Sequence, residues 1–376
     1  MLFGFIKVGE MMKKINVCHV MSALEAGGVE AVVINYCSHM NLDKYNMHIL
    51  HQRKPSEKNF NEFKKLGFLI KEIPEKSKHP IKNYKETKKY FIDNNIDVVH
   101  AHMTLVNFIP LLAAKRVGIK IRISHSHNSD VREKSILKKC FEKILKVLTN
   151  HYCTVRISCG EDAGKYLYGK RNFVILNNAL DLEKYKYNEK NRNKLQEEYG
   201  LNNENFIIGN IGRFTIQKNQ KFLLNIFSEL VKRDKKYILF IIGDGELKGE
   251  LTQYAKELNI DDRVIFTGII NNTNEYYSLF DLFVLPSLWE GLPVVGVEAQ
   301  ASGVKCLFSE KIDLKANIIK NKVNNIPLEE ECWVNEILSI NSGYDRNIDS
   351  SLFTSLGFDI NNEVSKLENI YGGECK

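Results

Sequence analysis

The chain has 376 residues, too many for one ordinary hydrophobic core and suited to two domains of about 150–200 residues each. With 44% hydrophobic and 26% charged residues it has the make-up of a folded globular protein. No apolar run reaches the roughly 18 residues needed to span a bilayer. The charge is unevenly shared: residues 1–180 hold 30 Lys/Arg against 16 Asp/Glu, the remainder 23 against 30, and all ten histidines precede residue 152. A basic first half points to an anionic partner, whether membrane surface, lipid phosphate or nucleic acid. No recognised nucleic-acid module accompanies the charge, so nucleic acid is not expected.

The opening Met1–Lys7 is too short and too poorly built for a signal peptide. A cytoplasmic location is expected, and residues 1–10 read as an extension upstream of a start at Met11 or Met12. Short β-branched runs then alternate with helical stretches. Residues 14–21, 46–51, 97–102, 119–124, 154–158 and 173–176 read as strands of a first unit; 206–211, 237–242, 264–267, 282–285 and 305–308 read as strands of a second. Such alternation argues for α/β architecture, two doubly wound parallel sheets with helices on both faces. The expected domains are 1–184, 185–350 and a terminal segment 351–376, with the polar stretch 181–199 as junction. Residues 311–350 fit no clear pattern. Ligands of such sheets bind beyond the carboxyl ends of the strands, so functional residues should follow strands directly.

Several do. Gly27-Gly28-Val29-Glu30 follows the first strand and opens a helix, where glycines permit close backbone approach and bare amides face an anion. A simple tight turn is the rival reading. His100 and His102 end one strand, and His125 and His127 directly follow another, giving two H-x-H pairs. Imidazole is the commonest metal ligand, but carboxylates are scarce nearby and no metal site is expected. Leu137, Cys140, Phe141, Ile144, Leu145 and Leu148 form an apolar stripe at helical spacing, flanked by Arg132, Lys134, Lys138, Lys139, Lys143 and Lys146. The stripe is expected to pack into the core, while the basic face can attract an anionic membrane. The eight cysteines show no C-x-x-C pair and read as small buried hydrophobes, not as a disulfide or zinc framework.

In the second unit, Arg213 and Lys218 lie five apart in a loop after a strand, so that a planar fork and a mobile point charge can converge on one diphosphate. Gly243-Asp244-Gly245 is a weaker signal, since Asp-Gly is a common turn. Thr267-Gly268 ends the next strand. The strand 282–285 leads into Pro286-Ser287-Leu288-Trp289-Glu290-Gly291-Leu292-Pro293, closing with Glu298-Ala299. Pro293 suits a first helical turn. The amides just before it are available to a phosphate, and Glu290 and Glu298 can grip hydroxyls on either side. That is a layout for holding a sugar nucleotide.

Glu290 and Glu298, eight positions apart around Gly291 and Leu292, match the E-x7-E motif of the retaining glycosyltransferases of family 4. The string continuing through Ala299-Gln300-Ala301 resembles the bacterial exopolysaccharide and capsule branch of that family. Gly212-Arg213 with Lys218 resembles its G-R-(x4)-K pattern, and Asn177-Asn178-Ala179-Leu180-Asp181 its N-G-[IV]-D, with Ala179 in place of glycine. The resemblance covers most of residues 14–310. It implies a GT-B fold, two Rossmann-like domains facing a cleft, with the terminal helix crossing back onto the first. It further implies that Arg213 and Lys218 neutralise the leaving diphosphate, Glu298 holds the ribose, Glu290 the donor sugar and His127 a sugar hydroxyl. Gly27, Gly28 and Gly243 would lie beside the donor and Thr267 and Gly268 beside its base. The implied donor is a nucleotide sugar with uridine as base, and the implied acceptor a carbohydrate or lipid-linked oligosaccharide. Retention is implied, and the chain contains no D-x-D metal clamp. An epimerase of the same fold and a non-catalytic sugar-nucleotide-binding subunit are the alternatives.

Overall fold

The computed structural model describes residues 13–24, 28–127, 135–270 and 272–374. They fall into two units, one comprising Met1–Ala179 with Gly357–Lys376, the other Leu180–Leu356. Each is built on one parallel sheet.

The first sheet holds β1 (Ile15–Val20), β2 (Tyr45–His51), β3 (Leu69–Glu72), β4 (Val98–Ala101), β5 (Ile121–Ser126), β6 (Val155–Ser158) and β7 (Val174–Ile175), in the order β3-β2-β1-β4-β5-β6-β7. Central strands are buried on both faces, which explains their near-continuous apolar runs. One face packs Val33, Tyr36 and Cys37 of helix Gly28–His39 together with Ile360, Val364, Leu367 and Tyr371 of the terminal helix Ile360–Tyr371. That helix therefore belongs to the first unit's core. The other face packs Phe91, Leu111 and Ala114. Strand order reverses direction beside β1, at the β1/β4 pair, the place where open parallel sheets offer a crevice.

The second sheet holds β8 (Phe206–Ile211), β9 (Tyr237–Ile242), β10 (Val264–Gly268), β11 (Leu282–Leu285), β12 (Lys305–Ser309) and β13 (Val323–Ile326), in the order β10-β9-β8-β11-β12-β13. β8, β9 and β11 are buried throughout. Two aromatic-rich clusters cover its faces, one around Phe214, Phe227 and Trp333, the other around Tyr277, Phe280 and Phe283.

Five expectations need correction. β3 and β13 were not legible because each is an edge strand whose polar residues, Lys71 and Glu72 or Asn324 and Asn325, need face no core. The unit boundary falls at Ala179/Leu180, not 184/185. Residues 181–199 are not a linker: Leu182–Tyr185 and Glu189–Glu198 are helices of the second unit, and Arg192 Nη2 lies 3.0 Å from Asp281 Oδ1. The terminal return begins at Gly357, while helix Ser350–Ser355 stays with the second unit.

The apolar stripe is the fifth. Helix Ile136–Tyr152 buries Leu145 but leaves Leu137 83%, Phe141 61%, Ile144 57% and Val147 57% exposed, beside exposed Lys138, Lys139 and Lys143. The stripe has two edges, and only one meets the core. Arg132 and Lys134 lie outside the described residues. Of the cysteines, Cys18, Cys37, Cys153 and Cys306 are buried as expected, whereas Cys140 is exposed on this helix.

Candidate functional site

In the second unit, the loops after β8, β9, β10 and β11 are knitted at the carboxyl end of the sheet. Phe214 N–H donates to Asp244 O at 3.0 Å, Gly243 N–H to Gly268 O at 3.0 Å, and Leu288 N–H to Gln217 O at 2.8 Å. Asn219, in the left-handed region at φ 55°, donates from its side chain to Pro286 O. Gly243 has φ 139°, and a Cβ there would stand 2.0 Å from Gly212 O; one on Gly245 would stand 2.4 Å from Phe214 O. These two glycines are thus required by loop-on-loop packing, a reason independent of any ligand. Thr267 donates its hydroxyl to Gly268 O at the edge of this assembly.

Lys218 is brought to Glu290 across these loops. Its Nζ lies 2.7 Å from Glu290 Oε1, with side chains only 17% and 9% exposed. Ser287 Oγ donates to the same oxygen at 2.5 Å. The lysine stem folds over Gly212, where a Cβ would meet it at 3.3 Å. Glu290 is further held by backbone bonds to Lys311 O and from Asp313 N–H. Arg213, from the same loop as Lys218, stays 75% exposed with only a loose pair to Glu246 at 3.6 Å, worth little in water. The structure therefore pairs Lys218 with Glu290 directly, where the spacing led us to expect Lys218 with Arg213.

Glu290 leads into helix Val294–Ala301. Pro293 is its cap, not a member of its first turn as expected, and its carbonyl accepts from Gly296 and Val297. Among the described residues the amides of Gly291, Leu292, Val294 and Val295 have no acceptor. A row of bare amides at a helix start favours an anion. Gly291 is open on its Cβ side, and Leu292 packs on the core below.

Inside that helix Glu298 accepts from Tyr277 Oη at 2.7 Å and from Tyr185 Oη at 3.0 Å. Each carboxylate oxygen thus has one tyrosine partner, and each retains acceptor capacity. Sequence reasoning missed both tyrosines, since Tyr185 lay in the expected junction and Tyr277 in no motif. Burial outweighs the two hydroxyl donors and raises the Glu298 pKa above its usual 4.5. The folded state then holds this proton more tightly than the unfolded chain. Its contribution to stability is complete below about pH 4.5, is lost as pH rises through the raised folded value, and is constant above. Replacing Glu298 with Gln removes that loss. The melting temperature of E298Q should gain on the wild type across this window, read by thermal melts from about pH 4 to about pH 8.

In the first unit Gly28 begins a helix with open space beside it, so no close approach demands a glycine there; Gly27 lies outside the described residues. The histidines are the main feature. His19 and His100 are register partners on β1 and β4, and His125 sits two residues beyond Ile123, the partner of His100 on β5. Side chains alternate with period two, so His19, His100, His102, His125 and His127 share one face. His102 Nδ1 is 3.0 Å from His127 Nε2, His19 Nδ1 is 3.0 Å from His102 Nε2, and His100 Nε2 is 3.1 Å from His125 Nδ1. Tyr371 Oη closes the set, 2.8 Å from His100 Nδ1. Burial depresses every ring's pKa, that of His127 to about 4 and His19 to about 3, so all are neutral at pH 7. His100 and His102 are 2% and 6% exposed and join one cluster, with His19 unforeseen. An open pocket of about 430 Å³ lies beside it, lined by Ser22, Glu30, Arg53, His102 and Thr104. At the junction, Asn177 and Ala179 offer their carbonyls to Tyr36 and Asn35, anchoring the end of the first unit.

These arrangements can be set beside known proteins. Residues 26–184 match the glycosyltransferase family 4 domain and residues 191–334 match the glycosyl transferases group 1 domain. The putative glycosyltransferase EpsF of Bacillus subtilis (strain 168) is 31% identical over 370 residues, which cover 95% of this chain and 96% of that protein. The chain belongs to the family 4 glycosyltransferases. A second relative, the UDP-Gal:alpha-D-GlcNAc-diphosphoundecaprenol alpha-1,3-galactosyltransferase of Escherichia coli, is 27% identical over 322 residues, covering 81% of this chain and 80% of that one. The crystal structure of Anabaena Alr3699/HepE in complex with UDP superposes with a TM-score of 0.70 at 15% identity, covering 95% of each chain. That likeness is one of fold, and it gives this glycosyltransferase the GT-B class.

Proposed function

We propose that this glycosyltransferase moves a hexosyl or N-acetylhexosaminyl group from a UDP-sugar to a sugar hydroxyl of a lipid-linked polysaccharide precursor. The transfer retains configuration and uses no metal at the diphosphate. The observation that carries this reading is the Lys218–Glu290 pair held beside four unpartnered amides at the carboxyl end of the second sheet. Lys218 has three N–H donors, and Glu290 with Ser287 aims it. Amides and ammonium together meet the charge that develops on a departing diphosphate, without reorganisation at the moment of reaction. Arg213, exposed and loosely paired, is free to swing onto the same group. Glu298 takes the ribose hydroxyls with its remaining lone pairs, Glu290 the donor sugar and His127 a sugar hydroxyl, while Gly268 backbone borders the base. The departing phosphate helps to deprotonate the acceptor hydroxyl on the same face.

For the acceptor, the pocket beside His102 offers Arg53 and Glu30 to hydroxyls or phosphate. The Escherichia coli relative, whose name specifies a diphosphoundecaprenol-linked acceptor, supports a lipid-linked substrate. The test is a thermal-shift and turnover screen across nucleotide sugars, with and without EDTA, on undecaprenyl-diphosphate-linked sugars. Stabilisation by UDP-sugars and EDTA-insensitive transfer to the lipid-linked sugar are expected. Release of an epimerised nucleotide sugar without acceptor would replace the transferase reading with the epimerase one.

A lipid-linked acceptor brings the enzyme to a membrane, and the exposed face of helix Ile136–Tyr152 suits that surface. Its three exposed lysines, Lys138, Lys139 and Lys143, add about 1 kcal/mol each near anionic lipid, and its apolar residues enter the headgroup boundary. The double variant L137S/F141S should lose flotation with phosphatidylglycerol vesicles while remaining folded, because both side chains are already exposed. Unchanged flotation would exclude this helix as the contact.

A further inference from the structure

The histidine cluster asks for an explanation that sugar binding does not give. Five imidazoles from three adjacent strands are gathered on one face, and imidazole is the commonest metal ligand. One ring nitrogen from each of His102, His125 and His127 lies within 4.8 Å of the others. His125 is 3% exposed, yet its Nε2 is buried with no hydrogen-bond partner. An orphaned polar atom of this kind costs about 1–3 kcal/mol.

We propose that His102 Nδ1, His125 Nε2 and His127 Nε2 bind one divalent transition-metal ion of the zinc or cobalt type. Metal–nitrogen bonds of about 2.0–2.1 Å place the ligand atoms of a tetrahedron about 3.3–3.4 Å apart. His102 Nδ1 and His127 Nε2 already stand 3.0 Å apart, so an ion enters with a shift of a few tenths of an ångström on that edge. The remaining ring nitrogens then fall into a consistent pattern. His102 Nε2–H donates to His19 Nδ1, and His125 Nδ1–H donates to His100 Nε2. His100 Nδ1–H in turn donates to Tyr371 Oη. Metal-bound histidines have outer partners of this kind, which set the tautomer and orient the ring. Imidazole-only ligation selects zinc, cobalt, nickel or copper over magnesium and calcium. Three protein ligands leave one coordination position open.

The inference does not depend on the transferase reading, but an ion at this site would take His127 Nε2 from the sugar hydroxyl assigned to it above. The test is a titration of the full-length chain, free of any affinity tag, with cobalt(II) chloride, followed by visible absorption. One equivalent should bind with intense d–d bands, and zinc should bleach them. H102Q and H125Q should each weaken binding by at least the roughly 10–100-fold that loss of an outer partner alone costs. Circular dichroism checks that each variant is folded. Absence of saturable cobalt binding by the folded wild type overturns the proposal, as does an unchanged titration of both variants. If both variants unfold, stoichiometry and zinc displacement in the wild type decide. Because donor turnover is not read in this titration, failure here leaves the transferase reading standing, and the reverse.

Discussion

Lys218→Ala is expected to lower kcat by about 10²–10³-fold, with a smaller change in the KM for the nucleotide sugar. The reason is that an ammonium aimed at the diphosphate does most for the state in which the glycosidic bond is breaking, when charge moves onto the leaving group. The same substitution leaves the Glu290 carboxylate, 9% exposed, with Ser287 as its remaining side-chain partner. Removing one member of a buried pair costs about 3–5 kcal/mol, and the residual exposure of this pair brings that to about 1–3 kcal/mol. The two effects separate in the double variant K218M/E290Q, in which no charge is stranded. Its melting temperature should return most of the way to that of the wild type while kcat stays low. If stability and kcat recover together, Lys218 serves the fold and not the leaving group. Glu298→Ala provides the contrast, because loss of a ribose contact weakens donor binding more than turnover. Equal loss of donor affinity in both variants would contradict the division of roles.

Gly243→Ala should produce the largest loss of stability among single substitutions near the site, about 2–5 kcal/mol by chemical denaturation. Two costs add there. At φ 139° an L side chain is strained by about 1–3 kcal/mol. The new Cβ would also stand 2.0 Å from Gly212 O, a backbone atom that cannot step aside as a side-chain end could. Relief comes only by parting the β9 loop from the β8 loop, which breaks the bond from Phe214 N–H to Asp244 O and displaces Arg213 and Lys218. Activity should therefore fall in the fraction that remains folded. Gly28→Ala is the control, since a Cβ there meets nothing within 4 Å. Comparable losses in the two would show that the β9 loop is more yielding than its packing implies.

Much of this was legible in the chain itself. Alternating β-branched runs and helical stretches determine two parallel sheets, because strands buried on both faces must be continuously apolar. Each loop that the motifs single out, from Gly28 through Arg213 and Lys218 to Glu290, follows a strand. Spacing along the chain locates such residues, since strand ends are local features. It does not say which of them meet. Lys218 finds Glu290 because β8 and β11 are neighbours in the second sheet, and Glu298 finds Tyr185 and Tyr277 because their helices pack together. His19 joins four distant histidines because β1 lies against β4 in register, placing its ring on their face. The exposed edge of helix Ile136–Tyr152 was decided in the same way, by what packs on it, while its apolar spacing alone fits core and surface equally. Hydrophobic period is written residue by residue and can be read from the sequence; partnership depends on strand order and register, which arise only when distant segments pair.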